Sequence, residues 1–347
     1  MGITAIPSHI SSVIKHLRLV LMVMVVYIHS KPVPKGTFGA YDNVYDIVSG
    51  ILCSVAVPLF FVFSGYLFFA GGEFSAASYG AKLKKRARTL LLPYVIWSLA
   101  FILLLFVFQR IAPAQFSNSF PLVSEFSAGD WWNAMWVNPI QYQFWFLRDL
   151  MVTIVLSSLI WVLVRYLKLF AVAALGIPFL LSVSIPVPGL GLSSLFFFSL
   201  GAYFSLFKVD FVQISRRFFY PVLVVYVLLV AASIVLGKAD RLGGAVHGLG
   251  IIAGLFCYIG LADRFSSCLD KLPEVFYSSS FFIYAFHGIP ILFAMRILEK
   301  GGLLSSPARA IAAYFIVPVL IIAVSIILYS LLRKLMPRFT GLITGGR

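Results

Sequence analysis

The feature that most constrains this chain is a series of apolar runs about 20 residues long, each closed by charged residues or by Gly and Pro. That is the length an α-helix needs to cross the roughly 30 Å hydrocarbon core of a bilayer. Lipid offers no hydrogen-bond partners to the backbone, so a spanning segment must satisfy its own N–H and C=O groups, which only helices and closed barrels do. Barrel strands alternate apolar and polar residues over segments of about ten, and these runs do not alternate. Composition agrees. The chain is 61% hydrophobic and 11% charged, where a soluble domain has about 45–50% and about 25%. The expected fold is all-α and membrane-integral.

Ten spans are predicted, near residues 13–30, 46–70, 89–109, 142–164, 169–185, 190–207, 218–236, 242–262, 276–296 and 308–332. The fifth and sixth are the weakest and read as a short hairpin around Ile185-Pro186-Val187-Pro188-Gly189. No internal repeat is visible, which counts against inverted-repeat transporter folds. With the N-terminus placed in the cytoplasm, 18 of the 27 basic residues fall on inner segments: Lys15 and Arg18; Lys82, Lys84, Lys85, Arg86 and Arg88; Arg165 and Lys168; Lys208, Arg216 and Arg217; Arg264 and Lys271; Arg333, Lys334, Arg338 and Arg347. The bias predicts both termini in the cytoplasm. The net charge of +15 is then accounted for by lipid head groups rather than by nucleic acid. Cys53, Cys257 and Cys268 show no CxxC spacing, so neither a disulfide framework nor a metal site is expected. The first apolar run ends at Tyr27-Ile28-His29-Ser30-Lys31-Pro32 without a small-residue cleavage site, so no cleaved signal peptide is expected.

Several residues are candidates for chemistry. His29 lies eleven residues after Arg18, about three helical turns and 16 Å. One helix face therefore carries a cation near one membrane surface and an imidazole deeper in. Neutral imidazole is a usable base near neutral pH, although an interfacial His bonded to a loop has the same spacing. Ser64-Gly65, inside Pro58-Leu59-Phe60-Phe61-Val62-Phe63-Ser64-Gly65-Tyr66, reads as a close helix contact or as a hydroxyl near substrate. The inner loop Lys82-Leu83-Lys84-Lys85-Arg86-Ala87-Arg88 suits phosphates and lipid head groups equally. Arg148 and Asp149 follow Phe144-Trp145-Phe146-Leu147 at the start of a span, where charge is costly unless it is paired or in a polar cavity. His287 is set mid-span in Phe282-Ile283-Tyr284-Ala285-Phe286-His287 and is expected to face a polar interior. His247 reads as a packing residue among glycines, and His9 and His16 as surface residues. In the outer loop, about 111–141, Trp132 and Trp136 lie four apart on one helical face. They read as an interfacial helix or as a sugar-stacking platform. No Ser-His-Asp triad, Gly-rich phosphate loop or HExxH motif is present, and 12 acidic residues are few for an ion-driven transporter.

Taken together these segments resemble the acyltransferase 3 family of membrane acyltransferases. Arg18 and His29 are similar to the family's Arg-x10-His pattern, and Val57–Tyr66 to its PxFFxxSGY stretch. The basic loop into Pro93-Tyr94, the Phe144–Leu150 segment and Phe282–His287 follow in family order. The Arg-x-x-Arg before Pro-x-Tyr is not matched cleanly, since Arg86 and Arg88 are two apart and Lys85 and Arg88 supply the three-residue spacing. The resemblance implies one transmembrane acyltransferase domain over 1–347, without the extracellular hydrolase-like domain of longer members, in the inner membrane of a bacterium. It implies an acyl-CoA co-substrate, with acetyl expected and succinyl the alternative, whose phosphates meet Arg18, Lys84, Lys85, Arg86 and Arg88. His29 would be the general base on a hydroxyl of a carbohydrate or glycolipid acceptor. Arg148, Tyr66 or Ser64 would steady the oxyanion, with Trp145, Asp149 and His287 as further site candidates. A carrier or flippase for a lipid-linked or small polar molecule is the competing expectation, one that gives a CoA-phosphate site no purpose.

Overall fold

A computed structural model describes residues 6–71, 74–111, 121–238 and 240–346. Arg347 and residues 112–120 of the outer loop lie outside the described residues. Among the described residues every regular element is helical. Six helices are long and apolar enough to span a membrane: α1 (Ser8–His29), α2 (Gly39–Phe69), α3 (Ala76–Ile111), α9 (Phe219–Leu236), α10 (Arg241–Arg264) and α13 (Pro307–Leu335). Three further pairs qualify only as bent units. These are α4 (Trp145–Val155) with α5 (Ser157–Leu167), bent by 63°; α7 (Leu192–Leu206) with α8 (Phe211–Arg217), by 97°; and α11 (Ser280–Phe286) with α12 (Gly288–Lys300), by 51°.

Among the described residues the count by length and composition is six, or nine if each bent pair is one span, against the ten expected. The fifth expected span is the one that fails. Its helix, α6 (Leu169–Leu180), has 12 residues and is about 18 Å long, well short of a bilayer core. The basic stretch 82–88 is also not a loop. It continues helically from Ala76 through a π-turn at Ala87–Leu91 into the apolar part of α3, so its cations point in different directions.

Helix α1 is the hub. Of its most apolar window 61% is buried, against 17% for the peripheral α9, and Ile10, Val13, Ile14, Leu17 and Leu21 all belong to the main core cluster. It stops at His29 for a local reason. Pro32 disfavours helical backbone at Lys31, and its ring would clash with the Ile28 carbonyl. The carbonyls left open at this end are taken by α2: the Tyr45 hydroxyl donates to Ile28 O at 2.8 Å and the Ser49 hydroxyl to Tyr27 O at 2.9 Å. The turn that carries His29 is thus pinned. Ser64-Gly65 shows its packing role where α2 meets α7. A Cβ on Gly65 would stand 2.1 Å from the Phe198 carbonyl oxygen, and one on Gly201 2.0 Å from that of Val62. Backbone meets backbone there, as small residues allow between membrane helices.

The centrality of α1 also corrects one expectation. His16 is fully buried, with Nε2 2.9 Å from Asp270 Oδ1, because the segment between α10 and α11 covers the start of α1. His9 is exposed and pairs with Asp210 at 2.7 Å.

Candidate active site

A cavity of about 440 Å³ opens beside α1, within the range of small-molecule sites. Ile14, Arg18, Met22, Val25 and His29 line it. Their spacing of three or four residues is one helical face, and the fifteen steps from Ile14 to His29 cover about 22 Å of rise. The remaining walls come from α2, α3, α4, α7, α10, α11 and the turn before α4, and most of the lining residues are apolar.

At one end stand two cations. Arg18 and Arg86 both line the cavity. Among the described residues neither makes a hydrogen bond or ion pair, and every carboxylate engaged in a salt bridge is held by another side chain. A half-buried guanidinium without an anion is costly, and two on one apolar cavity make a site for a polyanion able to take their paired N–H donors. Lys84, Lys85 and Arg88 are exposed and do not line the cavity, because the helix carries them round to other faces. Of the five clustered cations the site thus takes Arg86.

At the other end is a pair of imidazoles. His287 Nε2 lies 3.2 Å from His29 Nδ1, with ring centroids 5.3 Å apart and planes 29° from parallel. Their protonation follows from the neighbours. His287 Nδ1 is 3.0 Å from the Ile283 carbonyl oxygen, which only accepts, so that nitrogen carries the hydrogen. His287 is fully buried, and in its neutral form Nε2 keeps a lone pair. In the tautomer in which that lone pair accepts the Nδ1–H of His29, His29 Nε2 is unprotonated. The sequence puts His287 there through Gly288 and Pro290. The proline cannot continue the preceding ladder, so the helix breaks at residue 287. Tyr142 covers the other side of His29, with ring centroids 4.8 Å apart.

The other expected residues are distributed differently. Trp145 lines the cavity. Ser64 lines it too, but far from His29. Ser49 is level with Tyr27, and Ser64 is fifteen residues further along α2, about 22 Å down the helix, toward the Arg18 end. Tyr66 does not line the cavity; it is buried with its ring edge-on to Phe211 at 5.2 Å. Arg148 and Asp149 do not line it either. Arg148 places Nε and Nη2 each 2.9 Å from Asp149 Oδ1, and Nη1 3.1 and 2.7 Å from the carbonyls of Trp136 and Val137. The pair, 12% and 7% exposed, clamps the outer segment onto α4, and the guanidinium is occupied. The three oxyanion donors expected from sequence therefore lie away from the imidazoles: Tyr66 and Arg148 by orientation, Ser64 by depth. In the clamped segment the Trp132 and Trp136 rings stack at 5.8 Å. Ser127 caps the short helix before them, and its hydroxyl and backbone N–H hold the Asp130 carboxyl below its usual range.

One residue that sequence reasoning missed lines the cavity beside the imidazoles. Gln143 is 1% exposed, and neither of its amide atoms has a hydrogen-bond partner. Its only sequence signal is polarity in an otherwise apolar approach to α4, shared with Gln141.

A paired imidazole at one end of a membrane cavity and unpaired arginines at the other suit transfer from an anionic donor to a hydroxyl. The sequence profile of the acyltransferase domain family matches residues 12–330, and the chain belongs to that family, the acyltransferase 3 family. It is a multi-pass membrane acyltransferase. It is 29% identical to the succinoglycan biosynthesis protein ExoH of Rhizobium meliloti (strain 1021), over 98% of this chain and 93% of that protein. No solved structure matches it.

Proposed function

We propose that the protein moves a short acyl group, acetyl in the first instance, from acyl-CoA to a hydroxyl of a cell-envelope polysaccharide or its lipid-linked precursor. It would do so in the bacterial inner membrane with both termini in the cytoplasm. The observation that carries this is the single cavity joining two unpartnered arginines to an imidazole pair. The CoA phosphates bind Arg18 and Arg86, and the thioester extends along the α1 face. About 16 Å of helix separates Arg18 from His29, a distance a pantetheine-like arm has to cover. His29 Nε2 removes the acceptor hydroxyl proton as the oxygen attacks the thioester carbonyl. The tetrahedral intermediate then collapses, the C–S bond breaks, and the imidazolium returns its proton to the departing thiolate. His287 is a positioning residue that keeps His29 in the reactive tautomer. The polysaccharide acceptor is favoured by the likeness to a succinoglycan biosynthesis protein. Membership of an acyltransferase family speaks against a carrier.

The test is CoA thiol release by purified protein in nanodiscs from acetyl-CoA and succinyl-CoA, with alkali-treated succinoglycan as the acceptor probe. Release that rises with the probe and labels it with acyl groups is expected. No release and no label with either donor would refute the reading.

A further inference from the structure

We infer that the side-chain amide of Gln143 is the donor that holds the thioester carbonyl oxygen and stabilises the oxyanion formed on it. The inference rests on the acyl-CoA reading above and supplies the group that reading lacks.

An oxyanion donor must reach the reacting carbonyl, must be held rigidly, and must have no competing partner in the resting protein. Gln143 meets each condition. Its side chain lines the same cavity as His29, and its neighbour Tyr142 packs on the His29 ring. On the far side, the amide lies against the residue that follows His287. A Cβ built on Gly288 would stand 2.8 Å from both Gln143 Nε2 and Oε1. The amide is thus one residue from His287, which is itself 3.2 Å from His29. Gly288 leaves the room this requires.

The backbone around Gln143 is fixed while the side chain is left open. The Tyr284 hydroxyl donates to the Gln143 carbonyl at 2.6 Å, and the Gln141 amide donates to the Ala285 carbonyl. Both anchors tie the turn before α4 to α11. A buried primary amide with two donors and an acceptor all unmet is costly in a folded protein, and a substrate group that uses those donors offsets the cost only when bound.

The chemistry balances with the groups present. The acceptor oxygen forms a bond to the thioester carbon, and the carbonyl π pair moves onto its oxygen. The Gln143 Nε2–H donates to that oxygen while His29 Nε2 holds the acceptor's proton. When the C–S bond breaks, the pair returns to the carbonyl and the thiolate takes the proton from His29. No further reactant is needed.

The test compares Gln143→Leu, Gln143→Glu, Gly288→Ala and His29→Ala in the full-length protein in nanodiscs. Readouts are CoA release from acetyl-CoA with the alkali-treated succinoglycan probe, KM for acetyl-CoA, and thermal stability. Removing one oxyanion donor typically lowers kcat by about 10²–10³-fold. Gln143→Leu and Gln143→Glu are expected to lose activity on that scale. Their KM should stay within about threefold, and their melting temperature should not fall, because no protein hydrogen bond is lost. Gly288→Ala, which pushes the amide aside, should lose activity in the same way. If Gln143→Leu keeps near-normal kcat while His29→Ala is inactive, the inference is overturned and the acyl-CoA reading stands. If both variants stay active, the reading itself fails and takes the inference with it. A Gln143→Leu protein that melts lower and changes in KM alone assigns the amide to packing and also overturns the inference.

Discussion

Replacing His287 by Phe isolates the positioning role of the second imidazole. The two rings are similar in size, and the site is fully buried. The Ile283 carbonyl would keep a partner, because the backbone N–H of residue 287 already donates to it at 3.0 Å. The fold should therefore tolerate the change. What disappears is the ring partner of His29 Nδ1, leaving the Val25 carbonyl as its remaining partner. Losing one such hydrogen bond costs about 0.5–1.5 kcal/mol. At 1.36 kcal/mol per factor of ten, the reactive tautomer and orientation become about 2- to 13-fold less populated. The deficit belongs in kcat, since Arg18, proposed to meet the donor phosphates, stands eleven residues from His29 along α1, and Arg86 lines the same cavity from α3. The assay is CoA release against acetyl-CoA concentration in nanodiscs, with a melting curve beside it. His287→Gln, which offers an amide oxygen in place of the ring nitrogen, should recover part of the loss. A His287→Phe protein with kcat within twofold of the native value, or with the whole effect in KM, would show that His29 does not depend on this partner.

Other outcomes follow from the same geometry. Arg86→Gln should raise KM for acetyl-CoA by about tenfold or more, the value of one charge-assisted hydrogen bond at about 1.5–3 kcal/mol, whereas Arg88→Gln should leave KM unchanged; equal effects would return both to lipid contact. Arg148→Lys loses the two-pronged grip on Asp149 and the contacts to the Trp136 and Val137 carbonyls, so proteolysis in the described part of the outer segment, residues 121–141, should speed up before kcat falls; unchanged cleavage would contradict the clamp. Gly65→Ala drives a Cβ to 2.1 Å from a backbone oxygen and should destabilise by about 1–3 kcal/mol. Gly80→Ala, with nothing within 4 Å, should be neutral or stabilising in a melting experiment.

What the sequence discloses here follows from what periodicity can carry. Runs of apolar residues locate helices, and charge closes them, so α1, α9, α10 and α13 are legible to within a few residues. Periodicity is blind to direction, so the bends at Leu156 and His287 and the shortness of α6 emerge only from packing. The basic stretch 82–88 reads as a loop because charge usually ends a membrane helix, yet the helix continues through it and turns Arg86 toward the cavity. Arg18 and His29 are legible because both lie on one helix, where spacing fixes relative direction. His287 stands out by its polarity, but its contact with His29 joins residues 258 apart in the chain, which no local pattern contains. Tyr66 and Ser64 share a segment with functional promise and then diverge, one turned into the core and the other displaced along α2. Gln143 carries no sequence signal stronger than its polarity; what singles it out is two unmet amide atoms in a cavity lined by seven helices. His16 reads as a surface residue because it is near the start of the chain, and it is buried because α1 is central.

The account stands most directly on His29. With native and His29→Ala proteins reconstituted side by side, acetyl-CoA turnover is measured by CoA thiol release, and donor binding by equilibrium titration. A general base is worth about 10²–10⁴-fold in rate, so turnover should fall by at least a hundredfold while the dissociation constant for acetyl-CoA changes by less than about threefold. Turnover within a few fold of the native protein would contradict the central claim, and so would a loss that appears wholly as weakened donor binding.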